Sequence, residues 1–124
     1  DPTGRGNLGH ALETVVLIEL ERRGCAVGYA RTTDGYEVDF HVRDPEGHII
    51  LIQVCSDVGD AGTWEREIRA LSSAATAYTH AQALLLTFDP QPPRVTLPRP
   101  LVWQAAGAWL LGDPIRGRRK TKRT

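Results

Sequence analysis

Residues 36–55, YEVDFHVRDPEGHIILIQVC, decide how this chain folds. Two runs rich in β-branched and aromatic side chains, 36–43 and 48–55, flank the tetrad Asp44-Pro45-Glu46-Gly47. Pro at the second place and Gly at the fourth signal a type I turn, so the spacing predicts an antiparallel hairpin. Before it, residues 26–32 (AVGYART) read as another strand, entering the hairpin through Asp34-Gly35. After it, residues 83–88 (ALLLTF) are short and almost wholly apolar, the pattern of a strand buried on both faces.

Helices are predicted on either side of these strands. Asn7 is placed to cap one that runs to about Arg23, where Gly24 stops it. Its apolar positions, Leu8, Ala11, Leu12, Val15, Val16, Leu17 and Leu20, are wider than one stripe, so the helix is expected to be mostly covered. A second helix begins near Thr63 and carries Trp64, Ile68, Leu71 and Ala75 at steps of four, three and four. Glu65 and Glu67 fall in its first turn, where the helix dipole favours negative charge. Residues 94–104 hold one or two short extended pieces broken by Pro98 and Pro100, and a short helix near 106–111 places Trp109 and Leu110 on the core. The long helix between 48–55 and 83–88 argues a crossover to a neighbouring buried strand. The expected fold class is α/β, a mixed central sheet flanked by helices.

The chain has 124 residues, which fits one domain over 1–115 and a basic tail over 116–124. Its charge is segregated. Residues 1–115 carry nine basic and fifteen acidic side chains, a net of −6. The tail holds Arg116, Arg118, Arg119, Lys120, Lys122 and Arg123, and both lysines of the protein are among them. Six clustered cations make a sequence-independent contact to nucleic-acid phosphates a candidate role for the tail, beside a plain solvated charge run. No apolar run approaches the roughly 20 residues of a membrane span. Cys25 and Cys55 have no metal-ligand spacing, and nothing points to an oxidising compartment, so the expectation is cytoplasmic. With no initiating Met, the chain is expected to be a domain cut from a larger protein.

Strand alternation places candidate chemistry on one side of the sheet. Val38 and Phe40 are expected on one face, with Glu37, Asp39 and His41 on the other. Gln53 breaks an apolar run of eight, and in a hairpin Asp39 can lie beside Gln53 or Cys55. A buried amide needs a partner. On the first helix Glu13 shares a face with Val16, Leu17 and Leu20 and points inward, with His10 one turn before it. Glu13, Asp39 and Gln53 are therefore expected to converge, an oxygen-rich set that suits Mg2+ or Mn2+.

The segments GHALETVVLIEL, GYARTTDGYEVDF, LIQVCSD and TWEREIRAL together resemble the nuclease-like C-terminal domain of bacterial and archaeal P-loop ATPases of the AAA type, within the PD-(D/E)xK, or restriction-endonuclease-like, superfamily. The resemblance runs from about Gly9 to Leu111. It implies the core order helix, three strands, helix, strand, and an N-terminal P-loop ATPase portion of the same polypeptide as partner. It also implies that Glu13 matches the helix carboxylate, Asp39 the motif Asp, and Gln53 the following acidic position. Cys55 then falls where an active nuclease carries Lys. In active members the acids hold Mg2+, which activates water.

Two departures weigh on activity. Gln53 is neutral and Cys55 supplies no positive charge, while residues 1–115 contain no lysine that could migrate into the role. Arg31, on the first strand, is the best internal substitute, but a guanidinium stays protonated and carries protons poorly. The fragment has no GxxxxGK[ST] loop and so no nucleotide site of that kind. The expectation is a degenerate, non-catalytic module that binds nucleic acid or protein; the alternative is an active Mg2+-dependent DNA endonuclease with Glu13, Asp39, Gln53 and Arg31 at its centre.

Overall fold

The computed structural model describes residues 5–56 and 61–115. The basic tail, and Asp57 and Asp60, which the sequence alone reads as loop and cap residues, lie outside the described residues. The chain runs α1 (Arg5–Arg22), β1 (Ala26–Arg31), β2 (Glu37–Arg43), β3 (Ile49–Cys55), α2 (Ala61–Ala77), β4 (Gln82–Thr87), β5 (Leu101–Ala105) and α3 (Ala106–Leu110). The strands form one sheet in sequence order. β1, β2 and β3 are antiparallel, and β3, β4 and β5 are parallel. The fold class is thus α/β with a mixed five-stranded sheet, as the sequence pattern predicts.

Local chemistry sets the element ends. Gly24 adopts φ 79°, and the Cys25 N–H bonds the Leu20 carbonyl, closing α1 with a left-handed residue that glycine tolerates best. In the hairpin turn, Gly47 sits at φ 89° and donates to the Asp44 carbonyl. The Asp44 carboxylate accepts the N–H groups of Glu46 and His48, so its side chain completes the turn.

The sheet separates two apolar layers. On one face Leu12, Val16 and Leu20 of α1 pack with Phe40, Val42, Ile52, Val54, Leu84, Leu86 and Trp109. On the other, Trp64, Leu71, Ala74 and Ala75 of α2 pack with Ala30, Val38, Leu51, Cys55, Ala83 and Leu85. β4 contributes to both, which is why 83–86 reads as an unbroken apolar run.

Two expectations are corrected. Val38 and Phe40 do not share a face: Val38 packs under α2 and Phe40 under α1. The reason is a bulge. Gly28 pairs with His41 but Ala30 pairs with Val38, so β2 carries one extra residue in the stretch containing Asp39. That extra residue inverts the alternation beyond it. Second, α1 is not mostly covered, because Ala11, Val15 and Ile18 stand on its outer side, with Ile18 60% exposed. The two cysteines are not joined in a disulfide, Cys55 being buried and Cys25 half-buried.

Candidate functional site

The site lies where β2 and β3 part. Their ladder runs from Arg43↔Ile49 to Phe40↔Ile52 and goes no further. Beyond it β2 stays with β1 through Val38 and Glu37, and β3 stays with β4 through Gln53, Val54 and Cys55. Two side chains bridge the fork. The Asp39 N–H donates to Gln53 Oε1 at 2.8 Å, and the Val54 N–H donates to Asp39 Oδ2 at 2.8 Å.

Glu13 reaches this point from α1 and stands beside the Asp39 carboxyl. Glu67 arrives from α2, close enough to feel the charge of Glu13 and to take a hydrogen bond from Gln53. The structure therefore brings together Glu13, Asp39 and Gln53, the set expected from sequence, and adds Glu67. The sequence pattern sets Glu65 and Glu67 in the first turn of this helix, but α2 begins at Ala61 and no acidic residue falls in its first turn. The spacing of Glu67 held the signal, since Ala70, Leu71 and Ala74, three, four and seven residues on, are all buried.

A cleft of about 660 Å³ opens beside the fork, lined by His10, Glu13, Tyr29, Arg31, Glu37 and Asp39 among others. Arg31 does not turn inward to act for the missing lysine. It stands 73% exposed at the rim and pairs with Glu37. The described ion-pair partner of Glu13 is His10, 3.8 Å away and effective only when protonated. The cleft is thus rich in carboxylates and poor in available positive charge.

That imbalance shows in proton affinity. Burial pushes the Asp39 carboxyl up to about 8, the Val54 N–H bond opposes the rise, and the neighbouring Glu13 carboxylate adds to it. Glu67 is raised too, by burial first and then by the charge of Glu13, against the pull of Arg66 and the bond from Gln53. Two carboxyls crowded near a third favour sharing protons over full ionisation.

Two of the expected oxygen donors already accept backbone N–H groups. Gln53 turns its amide oxygen to the Asp39 backbone, and Asp39 gives Oδ2 to Val54. Among the described residues no three His, Cys, Asp or Glu side chains are placed to hold an ion together. Cys55, 2% exposed, packs in the layer under α2.

The chain matches no family model, no curated protein and no solved structure. No helix of the described residues is long and apolar enough to cross a membrane.

Proposed function

We propose that this chain is a restriction-endonuclease-like domain that keeps the fold without phosphodiester hydrolysis and serves as a protein-docking module, its partner being the P-loop ATPase portion of the same polypeptide. The observation that carries the reading is what stands at the positions of the second acid and the lysine. Gln53 holds a backbone N–H there, and Cys55 is packed in the core. Gln53 brings no negative charge to a metal ion, and Cys55 brings no ammonium to steady an attacking hydroxide.

A protein partner is favoured over nucleic acid for the body of the domain. Residues 1–115 are net −6, and the cleft presents the carboxylates of Glu13 and Glu37, which repel phosphate. The exposed Ala11, Val15 and Ile18, at steps of four and three, give α1 an apolar outer stripe that suits burial against another domain. Nucleic-acid contact is left to the cations of 116–124, whose charge is the one feature that favours it. That Cys25 and Cys55 are not disulfide-linked suits a reducing cytoplasm.

The test is plasmid nicking with Mg2+ and with Mn2+, the wild type against Asp39→Ala. No cleavage above the variant is expected. Metal-dependent nicking that Asp39→Ala abolishes would establish the alternative, a phosphodiesterase drawing on the convergence of Glu13, Asp39 and Glu67, and would overturn this proposal.

A further inference from the structure

Strands that part leave backbone groups behind. In a continuous antiparallel ladder every second residue of β2 would exchange bonds with β3. Past Phe40↔Ile52 the strands diverge, and the N–H groups of Asp39 and Val54 face the gap with no carbonyl of the opposite strand bonded to them. Val54 is 8% exposed, so water is a poor substitute. A buried N–H without a partner is costly, so a fold that opens a fork here has to supply acceptors from side chains.

We infer that Asp39 and Gln53 are the clasp of this fork, two side-chain acceptors that replace missing ladder carbonyls, and that they do not serve as ligands of a divalent cation. The inference deepens the non-hydrolytic reading above and rests on it. The two bonds run in opposite senses. The β2 backbone donates to a β3 side chain, and the β3 backbone donates to a β2 side chain, each at 2.8 Å. Reciprocity of this kind fixes both strands at once, as a capping box fixes a helix start.

The bulge is part of the same device. The extra β2 residue frees Asp39 from the alternation and lets its side chain lie along the gap toward Val54. Gln53 is 3% exposed, and its length lets the amide reach back to Asp39 from a strand that has already joined β4. At this position an amide supplies the acceptor Oε1 and also a donor for Glu67, whereas a carboxylate would set a further negative charge beside Glu13, Asp39 and Glu67. A neutral side chain at 53 therefore follows from the geometry of the fork.

The substitutions separate an acceptor role from a charge role. Asp39→Asn keeps an oxygen for the Val54 N–H and removes the ionisable group. Asp39→Ala and Gln53→Met remove the acceptors while leaving comparable or smaller volume. The measurements are thermal unfolding of the full chain with and without millimolar Mn2+, and amide hydrogen exchange at Val54 and Asp39. Asp39→Asn is expected to unfold within about 2 °C of the wild type or above it, while Asp39→Ala and Gln53→Met fall by about 5 °C or more. Amide exchange at Val54 should quicken at least tenfold in Asp39→Ala and stay slow in Asp39→Asn. Mn2+ should shift none of these midpoints.

A rise in the wild-type midpoint on adding Mn2+ that Asp39→Asn abolishes would overturn the inference, even if no plasmid is nicked. Unchanged Val54 exchange in Asp39→Ala would overturn it as well. If a variant does not fold, Asp39→Asn decides alone: a folded protein with slow Val54 exchange supports the clasp, and an unfolded one refutes it. Nicking activity bears on the hydrolytic question and metal-induced stabilisation on the clasp, so the two can fail separately.

Discussion

Replacing Asp39 by Asn should flatten the pH dependence of stability. Unfolded, this aspartate ionises near 3.8; in the fold it keeps its proton up to about 8. Between those values the native state binds a proton that the unfolded chain has released, so stability is greatest at the acid end of the window and declines as pH rises through it. Each pH unit removes about 1.4 kcal/mol, which over the whole window sets a ceiling of about 6 kcal/mol. Glu13 leaves the cleft open to water on one side, with its side chain 36% exposed, so about half the ceiling is the working figure. Urea unfolding followed by tryptophan fluorescence at pH 5, 6, 7 and 8 measures it. The wild type should lose about 3 kcal/mol across that series, and Asp39→Asn should lose about 1 kcal/mol or less. Glu67, raised in the same direction, supplies the remainder. A wild-type profile that is level from pH 5 to 8, or a variant with the wild-type slope, would refute the reasoning.

Other outcomes are expected elsewhere in the molecule. Leu85 is fully buried in β4 under α2, and Leu85→Ala should cost about 2–5 kcal/mol in urea unfolding. Glu19 bonds both Arg22 and Arg23, and Arg23 lies 4.3 Å from the Trp109 ring while donating to the Trp109 carbonyl at 2.6 Å. Those two arginines hold the Glu19 carboxyl down to about 2, so its contribution is complete above about 4.5 and disappears as pH falls through 2. Glu19→Gln should loosen the Arg23 contact and change Trp109 emission at neutral pH; an unaltered spectrum would count against that linkage. Ile18→Asp on the outer face of α1 should leave unfolding within about 0.5 kcal/mol of the wild type while, if the proposed ATPase partner is right, weakening association with it by pull-down. Deleting 116–124 should abolish any salt-sensitive DNA binding in a gel-shift titration; binding that persists would remove the tail from consideration.

Much of the architecture was legible because its signals are local. Pro45 and Gly47 marked the hairpin, Gly24 marked the end of α1, and the Trp64, Ile68, Leu71, Ala75 spacing marked α2; each acts over a few residues. The convergence of Glu13, Asp39 and Gln53 was also readable, from an inward helical carboxylate and a lone amide in an apolar strand. The bulge was not. It depends on how β1 meets β2, and no residue type in EVDF announces an extra position, so Val38 was placed on the wrong face. Nor could periodicity tell whether Ala11, Val15 and Ile18 would be covered, because α1 is apolar around most of its circumference and only the sheet decides which side is taken. Arg31 illustrates the same limit: its strand was correct, but pairing with Glu37 is a rim contact that a sequence pattern does not register.

The position of β3 has a consequence for how the chain is made. It is flanked by an antiparallel neighbour that precedes it and a parallel neighbour that follows α2. During synthesis the β1–β2–β3 meander can assemble as it leaves the ribosome, yet its free edge, Ile50 to Cys55, stays unmatched until Gln82 to Thr87 has been translated. That apolar margin is an invitation to intermolecular strand pairing for the seconds the delay lasts. Slowing elongation between 56 and 82 should therefore lower the soluble yield, and a charged substitution on the meander that impedes such pairing should recover it.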